Sequence, residues 1–382
     1  MPQRNIFGVA ALVVAGFVTV TYAQTDAEWN PAINGGDGST YSDAGNWDIN
    51  AVPINNGTTY NVDIPGSNNV IFDAFVSGDT VDTFILGTGS TFTVNPGLTY
   101  NVLGAAMING RINVNNSMFS APSATATFGG TPYLFADNSG SVAIGAANWN
   151  ATYSNSQTVM QANNNASIAL ATLGSLTINE NTSFTDTLTV HALNGGSINL
   201  SNITSASSND VLRFLIESSG SVDLTNLQTT ANVQFDIHIP TFTLPAMTTA
   251  NGTQFIARSG NTISANALTD QSGGSVTLET NSTFNATTMQ QFRIASFTAQ
   301  AGADFNAPAL TDVQGSTFTL DNGFTFTTGT LNNIDSARFF LSDGKVFGAV
   351  SDTSMNGTYS DSQTVLEADG AGTTLNLGSV QT

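Results

Sequence analysis

The sequence predicts an all-β fold, a parallel β-helix with coils of about 21 residues and an irregular β cap at its N-terminal end. Three observations predict it. The first is a pattern that recurs from Val211 to Phe347. One apolar column runs Val222, Phe242, Ile263, Phe284, Phe305, Phe326 and Phe347, in steps of 20, 21, 21, 21, 21 and 21. A second column stands five residues on, at Leu227, Met247, Leu268, Met289, Leu310 and Leu331. A third runs ahead of both, at Phe214, Phe235, Phe255, Val276, Phe297, Phe318 and Phe339. Three columns in register at one fixed period describe a solenoid of stacked coils.

The second observation is alternation. Ile198-Asn199-Leu200, Val222-Asp223-Leu224 and Phe242-Thr243-Leu244 turn two side chains inward and one outward. That is the period of a strand, and no window sustains helical spacing. The third is punctuation by Gly195-Gly196, Ser219-Gly220, Gly273-Gly274 and Asn322-Gly323. Glycine and asparagine accept the positive φ that tight corners need. Each coil then advances about 4.8 Å, the spacing of neighbouring strands. The Phe columns become stacked core rings, with Asn306 and Thr327 outside Phe305 and Phe326. Thr277, Thr298 and Thr319 form an outward β-branched ladder. An ice-binding face would need a longer rank, and Ile256 and Phe340 interrupt this one.

In chain order, Met1 to Ala23 reads as a secretory signal peptide. Arg4 supplies the positive start, and Ile6 to Val20 is an apolar run too short for a membrane span. The expected mature chain begins at Gln24. There is no cysteine, which excludes disulfides and thiolate metal sites. The formal net charge is −20, and loss of Arg4 makes it −21. Such a chain cannot build the basic face that nucleic acid or an anionic membrane requires. Only 9% of residues are charged while 40% are hydrophobic, so the composition suits extracellular β-structure rather than disorder.

Residues 24–129 read as the cap and first irregular coils. Trp29 and Gly45-Asn46-Trp47 open the segment, and Pro53 follows. Strands are predicted at Tyr60–Ile64, Val70–Phe72, Phe84–Leu86, Phe92–Val94 and Tyr100–Val102. A solenoid end must be covered, because a bare strand edge invites association. A separate carbohydrate-binding domain is the alternative for this segment. Residues 130–382 read as the repeat domain, open or truncated at its C-terminal end. Val142, Ile168 and Ile198 fall in the Val222 column at steps of 26, 30 and 24. A longer repeat overlies the short one: Thr152–Val159 returns as Thr358–Val365, 206 residues on. Both copies are expected to replace half a coil by a loop. Leu375, Leu377 and Val380 then restart the pattern. The expectation is a longer repeat protein, or a last coil covered by another copy through end-to-end association.

The Gly45-Asn46-Trp47…Pro53 opening and phrases such as Gly195-Gly196-Ser197-Ile198-Asn199-Leu200-Ser201-Asn202-Ile203-Thr204 resemble large secreted bacterial repeat proteins. They are similar to autotransporter passengers and filamentous-haemagglutinin-like adhesins. The resemblance implies a right-handed β-helix displayed at a cell surface, and it carries over no active-site residue.

Many β-helices act on polysaccharides, so an enzyme must be weighed. The best carboxylate pair is Asp270 and Asp312, each two residues beyond the leucine column. Two coils separate them, roughly 9.6 Å by strand spacing. That approaches the roughly 6.5–9.5 Å of inverting glycosidases. Thr229, Thr249, Gln291 and Asn333 fill the same column, so the pair reads as part of a polar ladder at a corner rather than as a catalytic dyad. Lys345 stands alone, and Arg213, Arg258, Arg293 and Arg338 fall in different coils. His191 and His238 lack a partner motif and read as surface strand residues. The acidic turns Asn34-Gly35-Gly36-Asp37-Gly38 and Asp369-Gly370 leave calcium open without a full ligand spacing. No catalytic, cofactor or metal residue is assigned. The sequence predicts a secreted, non-catalytic structural or adhesive solenoid whose partners are surface glycans or copies of itself. A β-helix polysaccharide lyase or glycosidase is the alternative.

Overall fold

A computed structural model describes residues 24–377 except 57, 74–78, 171, 182–185, 321–322, 349, 353–354 and 358–363. The expected leader, most of the second Thr-Tyr-Ser copy and Val380 lie outside the described residues. The chain winds as a parallel β-solenoid of about 12 turns, with coils roughly 22 residues apart and about 2% helix.

Each coil carries up to three short strands, so the solenoid has three faces. In one coil the first face takes 229–231, the second 233–237 and the third Thr241–Thr243. The next coil repeats this with Thr249–Asn251, Gln254–Ala257 and Thr262–Ser264. Register is parallel throughout these ladders: Thr229↔Thr249, Phe235↔Phe255, Phe242↔Ile263. The ladder starts early. Gln24–Glu28 pairs with 59–63, which pairs with Thr83–Leu86 and then Ala106–Ile108. The irregular first coils are thus already solenoid. Val142↔Ile168↔Ile198↔Val222 pair in series despite their uneven steps.

The core is the stack of inward side chains. Phe214↔Phe235↔Phe255↔Val276↔Phe297↔Phe318↔Phe339 form one unbroken column. All seven are buried. Leu227, Met247, Leu268, Met289, Leu310 and Leu331 form the second. Phe305 is buried, but Phe326 is only partly so. Neighbouring Phe324 takes a buried place beside it, and the strand Thr325–Thr328 to which Phe326 belongs holds no fully buried residue. At the N-terminal end Trp29 and Trp47 meet edge to face at 5.0 Å. Tyr41 packs on Trp47 at 4.9 Å and on Phe72 at 5.1 Å, plugging the first coils. The first Thr-Tyr-Ser copy departs from expectation. Ser141–Tyr153 and Gln157–Ala162 are strands joined by a three-residue bend, so no loop replaces the half-coil. Buried Tyr153 anchors the bend by donating its hydroxyl to the Pro132 carbonyl at 2.5 Å.

The corner between the first and second faces repeats one backbone conformation. Asn232, Gly252, Gly273, Ile294, Gly315 and Ser336 all have positive φ, between 52° and 72° for those from Gly252 to Gly315. Ile294 is the outlier, since a β-branched side chain crowds its own backbone at φ 52°. Its side chain offers no compensation, being 72% exposed. Ile294→Gly should therefore stabilise the protein by about 1 kcal/mol, the released strain less the added chain entropy. A lower denaturation midpoint in the variant would show that the isoleucine packs on something the exposed corner conceals.

Candidate functional site on the second face

The second face turns its outward residues to one side along the whole solenoid. From the sixth to the ninth of its strands one outward row departs from the Thr, Ser and Gln that are common in the others. Outward positions in register run His191↔Leu215↔Asp236↔Ile256. One row inside that, Arg213 pairs with Gln234. Just beyond the strand ends stand Glu217, His238, Arg258 and Glu279, one per coil, each bonded through its amide to the coil below.

Asp236 lies at the centre and is 1% exposed. Arg258 grips it with two bonds, Nε to Oδ1 at 2.7 Å and Nη2 to Oδ2 at 3.0 Å. Arg213 donates to the same Oδ2 from the coil below. The His238 Nε2 lies 3.1 Å from Oδ1. Arg258 reaches upward too, donating from Nη1 to Glu279 at 2.7 Å. Glu217 faces both imidazoles, at 2.8 Å from His191 Nε2 and 3.9 Å from His238 Nδ1. Burial pushes the Asp236 carboxyl up, but the Arg258 and Arg213 hydrogen bonds outweigh it and leave the group below its ordinary value. Hydrogen bonding from Arg258 likewise holds Glu279 low.

Two expectations need correction. His191 and His238 do have partners, and Arg213 and Arg258 are not scattered: winding brings all four together. Three carboxylates face two guanidiniums, so the group is net negative with neutral imidazoles and net positive when both are protonated. A glutamate that orients an imidazole is an arrangement that suits a general base. Outer guanidinium N–H groups suit ligand oxygens. Among the described residues no group of three or more His, Cys, Asp or Glu side chains is placed to hold a metal.

Lower on the same face, Arg111, Tyr133 and Phe135 project outward in adjacent coils, with Tyr133 beside Arg111 in register. Sequence reasoning missed these three. Their signal was an aromatic at an outward position of the strand Tyr133–Asp137, where Leu134 and Ala136 take the inward places.

The predicted carboxylate pair sits where the spacing put it. Thr249↔Asp270↔Gln291↔Asp312↔Asn333 is one column, two steps between the aspartates. It lies on the first face rather than at a corner. The two carboxylates differ. Arg293 binds Asp312 through Nε at 2.9 Å, and the Gln314 amide adds a bond at 3.1 Å. Burial raises the Asp312 carboxyl, yet these bonds bring it below its usual range. One Asp270 oxygen is buried without a hydrogen-bond partner among the described residues. Lys345 donates to the Phe324 carbonyl at 2.7 Å and rests on that ring.

At the first acidic turn, Asp37 accepts from the amides of Ser39 at 2.7 Å and Thr40 at 2.8 Å, and from Asn46 Nδ2 at 2.7 Å. With the Thr40 hydroxyl the foremost, these bonds hold its carboxyl far below the usual carboxylate range. The turn thereby fastens the cap, since Asn46 is buried. At the second turn, Thr373 donates to the Asp369 carbonyl at 2.6 Å. A cavity of about 370 Å3 on the first face is lined by Asp26, Glu28, Asp48 and Asp63. Burial raises the Asp63 carboxyl.

Comparisons with protein-family models, curated proteins and solved structures gave no match, so none supports the autotransporter-passenger or haemagglutinin-like resemblance.

Proposed function

We propose that this chain is a secreted, non-catalytic structural and adhesive solenoid, exposed at the bacterial surface or in the extracellular matrix. Its partners are surface glycans or further copies of itself. One observation carries this reading. In a chain with 7 Lys and Arg and 2 His, both histidines and the arginines 111, 213 and 258 gather on the second face. They are joined there by the outward pair Tyr133 and Phe135. A long face with recognition groups spread along one side from Arg111 to Arg258 suits binding to an extended partner. The leader-like segment Met1 to Ala23 favours an extracellular place.

The His191–Glu217 bond beside two guanidiniums favours a second reading, a polysaccharide-cleaving enzyme. A single experiment separates them. The chain from Gln24 onward is screened on a glycan array, with released reducing sugar and unsaturated uronate assayed in parallel. Binding without release is expected. Turnover that disappears in His191→Gln would establish the enzyme and overturn the adhesive reading, and turnover lost in Asp270→Asn or Asp312→Asn would do so at the first face.

A further inference from the structure

We infer that Arg111, Tyr133 and Phe135 form a binding subsite for a neutral oligosaccharide. The inference rests on the adhesive reading and names its ligand and place. The two rings leave the same side of one strand, with centroids 6.3 Å apart and planes tilted by 30°. Arg111, one coil below, holds its guanidinium 5.0 Å from the Tyr133 centroid and 4.6 Å from that of Phe135. Gln157, one coil above, accepts the Tyr133 hydroxyl at 2.7 Å. Rings and guanidinium are thus fixed from both sides and remain only partly buried.

Two shallow cavities flank Arg111, each about 230 Å3. Ser90, Thr91, Thr131 and Tyr133 line one. Asn113, Phe135, Asp137 and Gln161 line the other. Each cavity is of the size of a single sugar ring. Its walls supply what a sugar needs: an aromatic surface for the C–H face, and donors and acceptors for the hydroxyls.

Arg111 differs from its counterparts. Arg213, Arg258 and Arg293 each bind a carboxylate. Arg111 makes no ion pair among the described residues, so its N–H groups are not committed to an anion of this chain. An acidic polymer could use such a guanidinium, but two observations favour a neutral ligand. The chain carries a net charge of −20, which repels polyanions. The Asp137 carboxylate also lines the second cavity. The subsite continues along the solenoid through register: Asn113↔Phe135↔Gln161↔His191 stand in successive coils. A glycan lying along the axis therefore meets amide, ring, amide and imidazole in turn.

Titration calorimetry of the mature chain with cello-, xylo- and manno-oligosaccharides, and with oligogalacturonate, tests this. Binding of at least one neutral series is expected, weakened tenfold or more in Arg111→Met and in Phe135→Ala. Phe135→Leu keeps the apolar bulk without the aromatic face and guards against a folding artefact. Its melting temperature should match the parent while its affinity falls. Neutral-glycan binding left intact in all three variants would overturn the subsite and leave the adhesive reading standing. Preference for oligogalacturonate would overturn the neutral assignment. An absence of binding to any glycan would overturn both the subsite and the glycan partner.

Discussion

Phe305→Ala is expected to cost about 3–5 kcal/mol, whereas Asn306→Ala should change stability by no more than about 0.5 kcal/mol. The two residues are neighbours on one strand, Asp304–Ala307, and differ only in the face they take. Phe305 is fully buried. It stacks on Phe284 at 5.8 Å and on Phe326 at 5.1 Å, with interplanar angles of 12° and 21°. Phe297 meets it edge to face at 4.9 Å. Removing the ring leaves a cavity that cannot close, because ladder pairs fix Phe284 below and Phe326 above. Lost burial and the cavity therefore add together. Asn306 points outward and gives only a 3.2 Å bond from its amide to Asn285. Urea midpoints, with hydrogen exchange across Thr283–Asn285 and Thr325–Thr328, would measure both. Equal losses at the two positions would contradict the inward-outward register of the third face.

That register is legible in the amino-acid sequence because a solenoid writes its contacts at a constant step. Residues that touch, such as Phe235 and Phe255, stand one coil apart along the chain. The core of a solenoid is therefore printed as columns, and the Phe column needs no tertiary information. Legibility fails where the step is uneven or the outward rule breaks. Phe326 is expected to be buried like Phe305, but the side chains around Phe324 share the inward space differently. The half-coil loop expected at Thr152–Val159 is a strand, a bend and a strand, because Tyr153 finds a buried acceptor one coil back at Pro132. A hydroxyl-to-carbonyl bond of that kind follows the coil step but adds no residue to the apolar columns from which the coils are read.

The charged group on the second face does leave a periodic trace. Glu217, His238, Arg258 and Glu279 stand three residues beyond Phe214, Phe235, Phe255 and Val276, at the same steps as the core column. Charged residues laid on the apolar columns reveal the neighbours. Weighing each by its distance along the chain hides them, since that distance has little bearing on distance in a coil. His191 is harder to place, since 26 residues separate it from its partner Glu217. Asp236 is harder still. An aspartate between two apolar core residues reads as a solvated outward group, and only the guanidiniums that fold over it make it buried.

Asp236→Ala should consequently destabilise the protein by about 3 kcal/mol at neutral pH, the lower end of the roughly 3–5 kcal/mol seen when one partner of a buried ion pair is removed. The lower end applies because Arg213 and Arg258 are 29% and 33% exposed and regain some hydration when the anion is lost. Asp236→Asn, which keeps the volume and one acceptor, should cost less. The groups that face Asp236 are Arg213 from the coil below, His238 on its own coil and Arg258 from the coil above. Leu215 and Ile256 flank it in register. Its carboxyl is held below the ordinary 3.8. A carboxylate with a depressed folded value stabilises the fold above its unfolded value, and that contribution is lost as pH falls through the folded one. The parent should thus lose stability as the pH is lowered beneath about 4, with Asp312 and Glu279 contributing in the same direction. The alanine variant lacks one of these titrating groups, so its loss on acidification should be smaller. Denaturant midpoints at pH 7 and pH 3 would reveal the difference. A variant that costs under about 1 kcal/mol and follows the parental pH curve would mean that the arginines merely screen a solvated carboxylate. The second face would then hold no buried ion group on which to build recognition.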